Sequence, residues 1–399
     1  MSPTASSRRA VAALCFCQTI LSLGLGLSFP FFAVYLHSER GMPMLSVGAW
    51  LSISVLATAV GQGIGGELSD RIGRRRVMVL SLWLRTATVA GLAAAIKGDW
   101  GIPEIVGFHL VSSFVAHFFE PAARGWVADH AGIKDRHRAF GWLRTSTHGG
   151  FAAGPALGGL IAGKSYPLLF GATAAVCALC AFAASILLED DRRHPREKSG
   201  DEGWSVLAVK DKRFRRLCAL NALLAVAMAQ LVVPLSLYAT NFLSLNEAQI
   251  GLVLSLNGAL IVLLQVPATH LLTGAPLSAA LAGGAAMYAF GYAWVGRSLG
   301  LEGLLGAVAL VSLGEITVPA AVHALSANMA PERLRGRYMG MLGLSRQLGS
   351  AIGPVAGCAS LQLAVGRSPA LHWYAVSAIA ALSALGFFLL GKDLKPSEQ

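Results

Sequence analysis

A chain of 399 residues that is 55% hydrophobic and only 13% charged has too little polar surface for an ordinary water-soluble domain, and its positive mean hydropathy calls for a lipid solvent. The net charge of +11 would suit a nucleic-acid partner if it covered one face, but it sits in short loops between apolar runs. Nucleic acid is therefore excluded as a partner, and the bilayer is the surface to which this charge responds.

Apolar segments of about 20 residues, enough to cross a hydrocarbon core of roughly 30 Å, recur twelve times: about 11–36, 45–68, 76–97, 102–130, 137–163, 166–188, 214–242, 248–272, 277–297, 302–328, 335–365 and 370–391. The expected fold is an all-α membrane protein of two six-helix bundles related by pseudo-two-fold symmetry: residues 1–188, a cytoplasmic linker at 189–213, and 214–399. Ser6-Ser7-Arg8-Arg9 precedes a first span too long for a cleaved signal, so that span is expected to stay. Most of the 32 Lys and Arg lie at the N-terminus, in the loops after spans two, four, six and ten, and in the tail. The alternate loops hold only Arg40, Lys97, Lys164, Arg297 and Arg367. That asymmetry places both termini in the cytoplasm of a multi-pass inner-membrane protein. Cys177 and Cys180 have CxxC spacing inside an apolar span without further ligands, so they read as small buried hydrophobes; no metal and no cofactor is expected.

Between spans two and three runs Gly66-Glu-Leu-Ser-Asp70-Arg71-Ile-Gly73-Arg74-Arg75-Arg76. Gly73 permits the tight reversal, and the arginines fix its side of the membrane. The pattern Gly-x-Leu-x-Asp-Arg-x-Gly-Arg-Arg resembles the signature loop of the major facilitator superfamily. The resemblance implies a secondary transporter in which Asp70, Arg71 and Arg74 form a charge cluster with Asp129 at the end of span four and with the start of span eleven near Gly336. Such a cluster would close the cytoplasmic side as a latch. The halves repeat weakly, as that family leads one to expect: Asp135-Arg-His-Arg leads into Gly149–Gly159, and about two hundred residues later Arg335-Gly-Arg-Tyr leads into Gly349–Gly357. The loop Leu272-Thr-Gly-Ala-Pro276 does not repeat the signature.

Span five carries Gly150, Gly154, Pro155, Gly158 and Gly159. Small residues four apart let two backbones touch, and the proline bends the helix. The string resembles the motif of the drug/proton antiporter branch, which implies export. The pieces Phe119-Glu-Pro121, Asp211-Lys-Arg-Phe214 and Arg337-Tyr-Met-Gly340 look most like the MdtH-type multidrug efflux group.

Ionisable residues inside spans are the candidates for coupling or substrate binding, because each costs about 2.5–3.5 kcal/mol near mid-bilayer unless it faces water or a partner. His117, Glu120 and Arg124 have spacings of one helix face in span four, and Pro121 distorts that helix. Glu315 lies in span ten, Arg85 in span three, Arg144 with His148 in span five, and Arg346 in span eleven. A carboxylate whose surroundings alternate would bind and release a proton; Glu315 and Glu120 are the candidates, with Glu120 paired to Arg124 or Arg144 as the structural alternative. Relatives with an arginine early in span four would have it where this chain has His109. Phe29, Phe31, Phe32, Tyr35, Gln230, Tyr238, Asn257, Gln265, Tyr288 and Tyr292 are candidate cavity residues.

The expectation is a monomeric, proton-coupled antiporter whose partners are a small-molecule substrate, protons and the lipid bilayer, and which exports hydrophobic or amphiphilic compounds by alternating access. It is not expected to be an enzyme. The alternatives are a transporter of an anionic metabolite such as a siderophore, organic acid or lysolipid, which Arg85, Arg144 and Arg346 would favour; and, in another class, a membrane-embedded enzyme or a non-transporting sensor.

Overall fold

The computed structural model describes residues 5–130, 136–189, 211–271, 274–331 and 334–394, and every regular element among them is helical. In the first half these are α1 (Ala5–Val34, continued by a π turn at Tyr35–Glu39), α2 (Met44–Ile72), α3 (Arg74–Lys97), α4 (Ile102–Ala116), α5 (Phe119–His130), α6 (Arg136–Ala162) and α7 (Tyr166–Leu187). The second half holds α8 (Lys212–Met228), α9 (Val233–Leu243), α10 (Glu247–Leu271), α11 (Leu277–Val295), α12 (Leu301–Met329), α13 (Arg335–Ala364) and α14 (Ala370–Asp393). Most of the proposed linker, 190–210, and Asp135, Leu272 and Thr273 lie outside the described residues.

The helices make twelve spans, because two spans are broken in the middle. Span four divides at His117–Phe118: Pro121 is the third residue of α5, has no N–H to continue the ladder, and leaves His117 as the C-cap of α4. Span seven divides between Met228 and Val233, where Pro234 stands at the second position of α9. The second break had no counterpart in the sequence reading. Nine spans among the described residues are long and apolar enough to cross a membrane by composition. The other three, α6, α11 and α13, are rich in glycine and carry arginines or tyrosines, which lower their hydropathy.

The chain packs as two compact units. One comprises the described residues of Met1–Gly41, Ile53–Arg196 and Asn246–Ala259; the other those of Met42–Ser52, Glu197–Leu245 and Leu260–Gln399. Each has the same internal pairing. In the first, α1 packs on α6 and α7, and α3 on α7 and α4; in the second, α8 packs on α13 and α14, and α11 on α14 and α12. In the first unit Leu14, Cys17 and Leu21 of α1 meet Leu82 of α3, Trp126 of α5 and Cys180 of α7 in one buried cluster. The Cys180 thiol donates to the Cys17 carbonyl at 3.3 Å, so this cysteine packs and also satisfies a backbone carbonyl of α1. Outward faces stay apolar: Leu179, Phe182 and Ile186 of α7 are all exposed, at helical spacing, which is the pattern of a lipid-facing stripe.

Local chemistry sets the helix ends. Asp211 caps α8 by accepting from Arg213 N at 2.9 Å and Phe214 N at 3.2 Å. Its other oxygen accepts from the Tyr338 hydroxyl at 3.4 Å, and the Phe214 and Tyr338 rings lie 4.1 Å apart. Two of the short segments that the sequence singled out, at 211–214 and 337–340, are thus joined. Gly73 is the only residue between α2 and α3, and its φ of 105° is one that an L side chain rarely adopts.

Candidate functional site

The reversal at Gly73 returns the chain so that Arg74, one turn from Asp70, reaches two carboxylates. Its Nη2 lies 3.1 Å from Asp70 Oδ1, and its Nε donates to Asp129 Oδ2 at 2.5 Å. The Arg74 side chain is only 13% exposed although both acids are open to solvent. It lies flat against α5 because Gly125 has no side chain: a Cβ there would collide with the guanidinium. Arg71 stands outside this cluster and pairs with Glu67 one turn back, while Arg75 Nη2 donates to the Ser185 carbonyl of α7 at 2.7 Å. Of the four residues expected together, Asp70, Arg74 and Asp129 are in contact and Arg71 is apart, and Gly125, which was not expected there, lies against Arg74.

In span four, Glu120 Oε1 accepts from Arg124 Nη2 at 2.5 Å and Oε2 from Gln62 Nε2 of α2 at 3.3 Å. Gln62 comes so close because Gly61 and Gly65 lie against the backbone of Phe114 and Phe118. With side chains 44% and 65% exposed, the Glu120–Arg124 pair is worth about 0.3–0.5 kcal/mol, well below the roughly 1.4 kcal/mol of a tenfold bias. It holds Glu120 only loosely. His117 caps α4 on the other side of the break from these two, within electrostatic range of Glu120, and its Nδ1 bonds to the Ser113 carbonyl at 2.9 Å.

The second unit repeats part of this arrangement. Glu315, half-buried in α12, stands beside Ile316, whose carbonyl accepts from Gln265 Nε2 of α10 at 3.3 Å. Gln62 and Gln265 are equivalent by the same offset that relates Gly48 to Gly251 and Ser52 to Ser255. Glu315 also lies within electrostatic range of Tyr288 and Tyr292.

Helix α6 has two close faces. Gly150, Gly154 and Gly158 lie against Thr19, Gly26 and Leu27 of α1, where any Cβ would strike backbone. Gly159 and the Pro155 carbonyl meet Glu247 and Gly251 at the start of α10, and Ser255 Oγ accepts from Ala156 N at 2.8 Å. In the other unit Gly48 lies against Pro354 and Cys358, and Ser52 Oγ accepts from Val355 N at 3.1 Å. Each proline helix is thus gripped by a glycine and a serine one turn apart. That repeat was visible in the sequence as Gly-x-x-x-Ser and went unread because serine carries no motif weight.

The arginines part company. Arg144 and Arg346 are exposed, whereas Arg85 is 4% exposed and buried in the first unit. Its Nε and Nη1 have no hydrogen-bond partner among the described residues. His109, the residue standing where relatives would have a cation, stacks on Phe32 at 4.0 Å with its Nδ1 3.4 Å from Ser54 Oγ. Several expected cavity residues are buried or bonded to backbone. Phe31, Phe32, Tyr288 and Tyr292 are fully buried, Gln230 bonds to the Val226 and Gly353 carbonyls, and Tyr238 to that of Val295. Lipid-spanning bundles have cores of their own, and large rings at mid-helix fill them.

Comparison with known proteins agrees with this architecture. The family model described as Major Facilitator Superfamily matches residues 14–354. The chain is 24% identical over 397 residues to the MFS-type transporter YdeE of Escherichia coli (strain K12), covering 98% of each chain. It is 25% identical to the multidrug resistance protein MdtH of Cronobacter sakazakii (strain ATCC BAA-894), covering 85% of this chain and 83% of that one. Among solved structures, a mutant form of the nucleoside transporter NupG superposes with a TM-score of 0.80 at 13% identity, covering 96% of this chain and 99% of that one, a likeness of fold. The chain belongs to the Major Facilitator Superfamily: it is a multi-pass membrane transporter of small molecules, not an enzyme.

Proposed function

We propose that this protein is a proton-coupled antiporter of the cell inner membrane, with both termini cytoplasmic, that works as a monomer and exports hydrophobic or amphiphilic small molecules by alternating access. The observation that carries the reading is the matched pair of carboxylates inside the spans. Glu120 and Glu315 occupy corresponding spans of the two units, and an equivalent glutamine amide approaches each neighbourhood. Glu120 is half-exposed and weakly paired, so a proton can reach it and its ionic partner does not prevent release. Residues 1–188 and 214–399 are the two bodies whose relative movement would change the surroundings of these acids. The glycine face of α6, which resembles that of drug antiporters, and a relative named for multidrug resistance support export.

The test is flux in proteoliposomes under an imposed pH gradient, against cationic, neutral and anionic compounds. Gradient-driven movement of a cationic or neutral amphiphile that disappears in Glu120→Gln or Glu315→Gln supports the reading. Movement that ignores the gradient in the wild type overturns it. A second reading, transport of an anionic metabolite, is favoured by one observation: the buried guanidinium of Arg85, which lacks partners among the described residues for two of its donor nitrogens.

A further inference from the structure

We infer that Arg85 is the core of an anion-binding site inside the first unit, built for a small monovalent anion: a carboxylate group or chloride. This deepens the second reading above by naming the site and the class of ligand. The argument begins with charge balance. A guanidinium keeps its proton in any protein, so Arg85 brings a full positive charge to the middle of α3, where it is 4% exposed. Buried charges persist when paired or when they await a ligand.

The described spans of this unit offer no acid to pair with it. Helices α1, α3, α6 and α7 contain no Asp or Glu, and Glu39, Glu67, Asp70, Asp99, Glu104, Asp129, Glu189 and Glu247 sit near helix ends or in loops. The one mid-span carboxylate, Glu120, is bonded to Arg124 and Gln62. Among the groups that the Arg85 charge reaches are the imidazoles of His109 and His117 and the thiols of Cys177 and Cys180. None of these is an anion near neutral pH.

Two further features suit a ligand there. Arg85 has two donor nitrogens, Nε and Nη1, on different edges of the guanidinium, and both are unsatisfied among the described residues, so each can give a charge-assisted hydrogen bond to an anion. Within reach of its charge stands a flat wall, the Phe32 ring stacked on His109 at 4.0 Å and 9°, against which an apolar group carrying the anion can lie. His117 caps span four's first segment at the break His117–Phe118, and His109 lies about two turns earlier in the same segment. Separate segments meeting at a break can shift locally and admit a ligand that a continuous helix would exclude.

The experiment uses the full chain purified in neutral detergent, with ligand-dependent unfolding midpoint and calorimetric stoichiometry as readouts. The probes are benzoate, benzyl alcohol, benzylamine and sodium chloride. Benzoate, chloride or both are expected to stabilise the wild type saturably with one site per chain, while the alcohol and the amine do not. Stabilisation by benzoate that chloride cannot displace marks a carboxylate of an organic substrate, and displacement by chloride marks an inorganic anion. Arg85→Gln should abolish the effect, Arg85→Lys should weaken it by about tenfold because a single ammonium cannot replace donors on two edges of the guanidinium, and Arg297→Gln should change nothing. If Arg85→Gln does not fold, Arg85→Lys and the charge selectivity of the wild type decide. Equal response to benzoate and benzylamine, no response to either anion, or unchanged affinity in Arg85→Gln or Arg85→Lys would overturn the site. Binding is read here without flux, so its absence leaves the proton-exchange role of Glu120 and Glu315 standing, and failure of that role leaves the anion site standing.

Discussion

At the scale of single residues, the division of labour among charged groups follows from exposure. Arg74 is shielded against Gly125 while its partners Asp70 and Asp129 are wet, so each ion pair adds little to stability, about 0.2–1 kcal/mol. Asp70→Asn is therefore expected to unfold within about 1 kcal/mol of the wild type, yet to lose transport if the pair is a latch. A wild-type flux in a folded Asp70→Asn would remove the latch. Gly125→Leu should do more, because its side chain would occupy the Arg74 position; overpacking of this kind costs about 1–3 kcal/mol, read as a lowered unfolding midpoint. The presence of Asp70, Arg74 and Asp129 together was legible as a pattern, since their residue types and spacing carry the resemblance. Gly125 was not, because what it contributes is empty space beside a helix distant in sequence. Glu120 and Glu315 were legible as acids in apolar runs. Their glutamine neighbours were not, because an uncharged amide leaves little trace in a hydropathy pattern.

At the scale of elements, glycine and proline act together. Pro155 and Pro354 lie inside α6 and α13, and the serine of a crossing helix accepts the N–H of the residue that follows each proline. Replacing Ser52 or Ser255 by alanine is expected to lower stability by about 0.5–1.5 kcal/mol each. The two effects should add in the double variant, since the bonds lie in different units; a thermal series of the three variants checks this. Gly154→Leu should be far more damaging, because the added atoms meet the Gly26 backbone of α1, and backbone cannot move aside as a side chain can. The control lies on the same helix: a Cβ at Gly149 meets nothing within contact distance. Gly149→Leu should therefore give a normal yield of folded protein, and Gly154→Leu a poor one. The break in span four was foreseeable from Pro121. That His117 would fall on the far side of it was not, because spacing alone assumes an unbroken helix.

At the scale of the whole molecule, the twelve spans and the loop charges predict that a reporter fused after Gln399 lies in the cytoplasm and one inserted in the 97–102 loop lies outside. Opposite signals would reverse the topology and, with it, the direction assigned to transport. Length and hydropathy determined the span count, because lipid permits only backbones that satisfy their own hydrogen bonds, and the pattern from Gly66 to Arg76 carried the resemblance to the family. Only the tertiary structure decided which charges are buried, which glycines touch backbone and which acids acquire neighbours. Arg85, Arg144 and Arg346 are alike in sequence, each one arginine in an apolar run, yet one is sealed in a bundle and two are open. That difference depends on the angle at which each helix faces its neighbours, and helix rotation is set by packing between segments far apart in the chain.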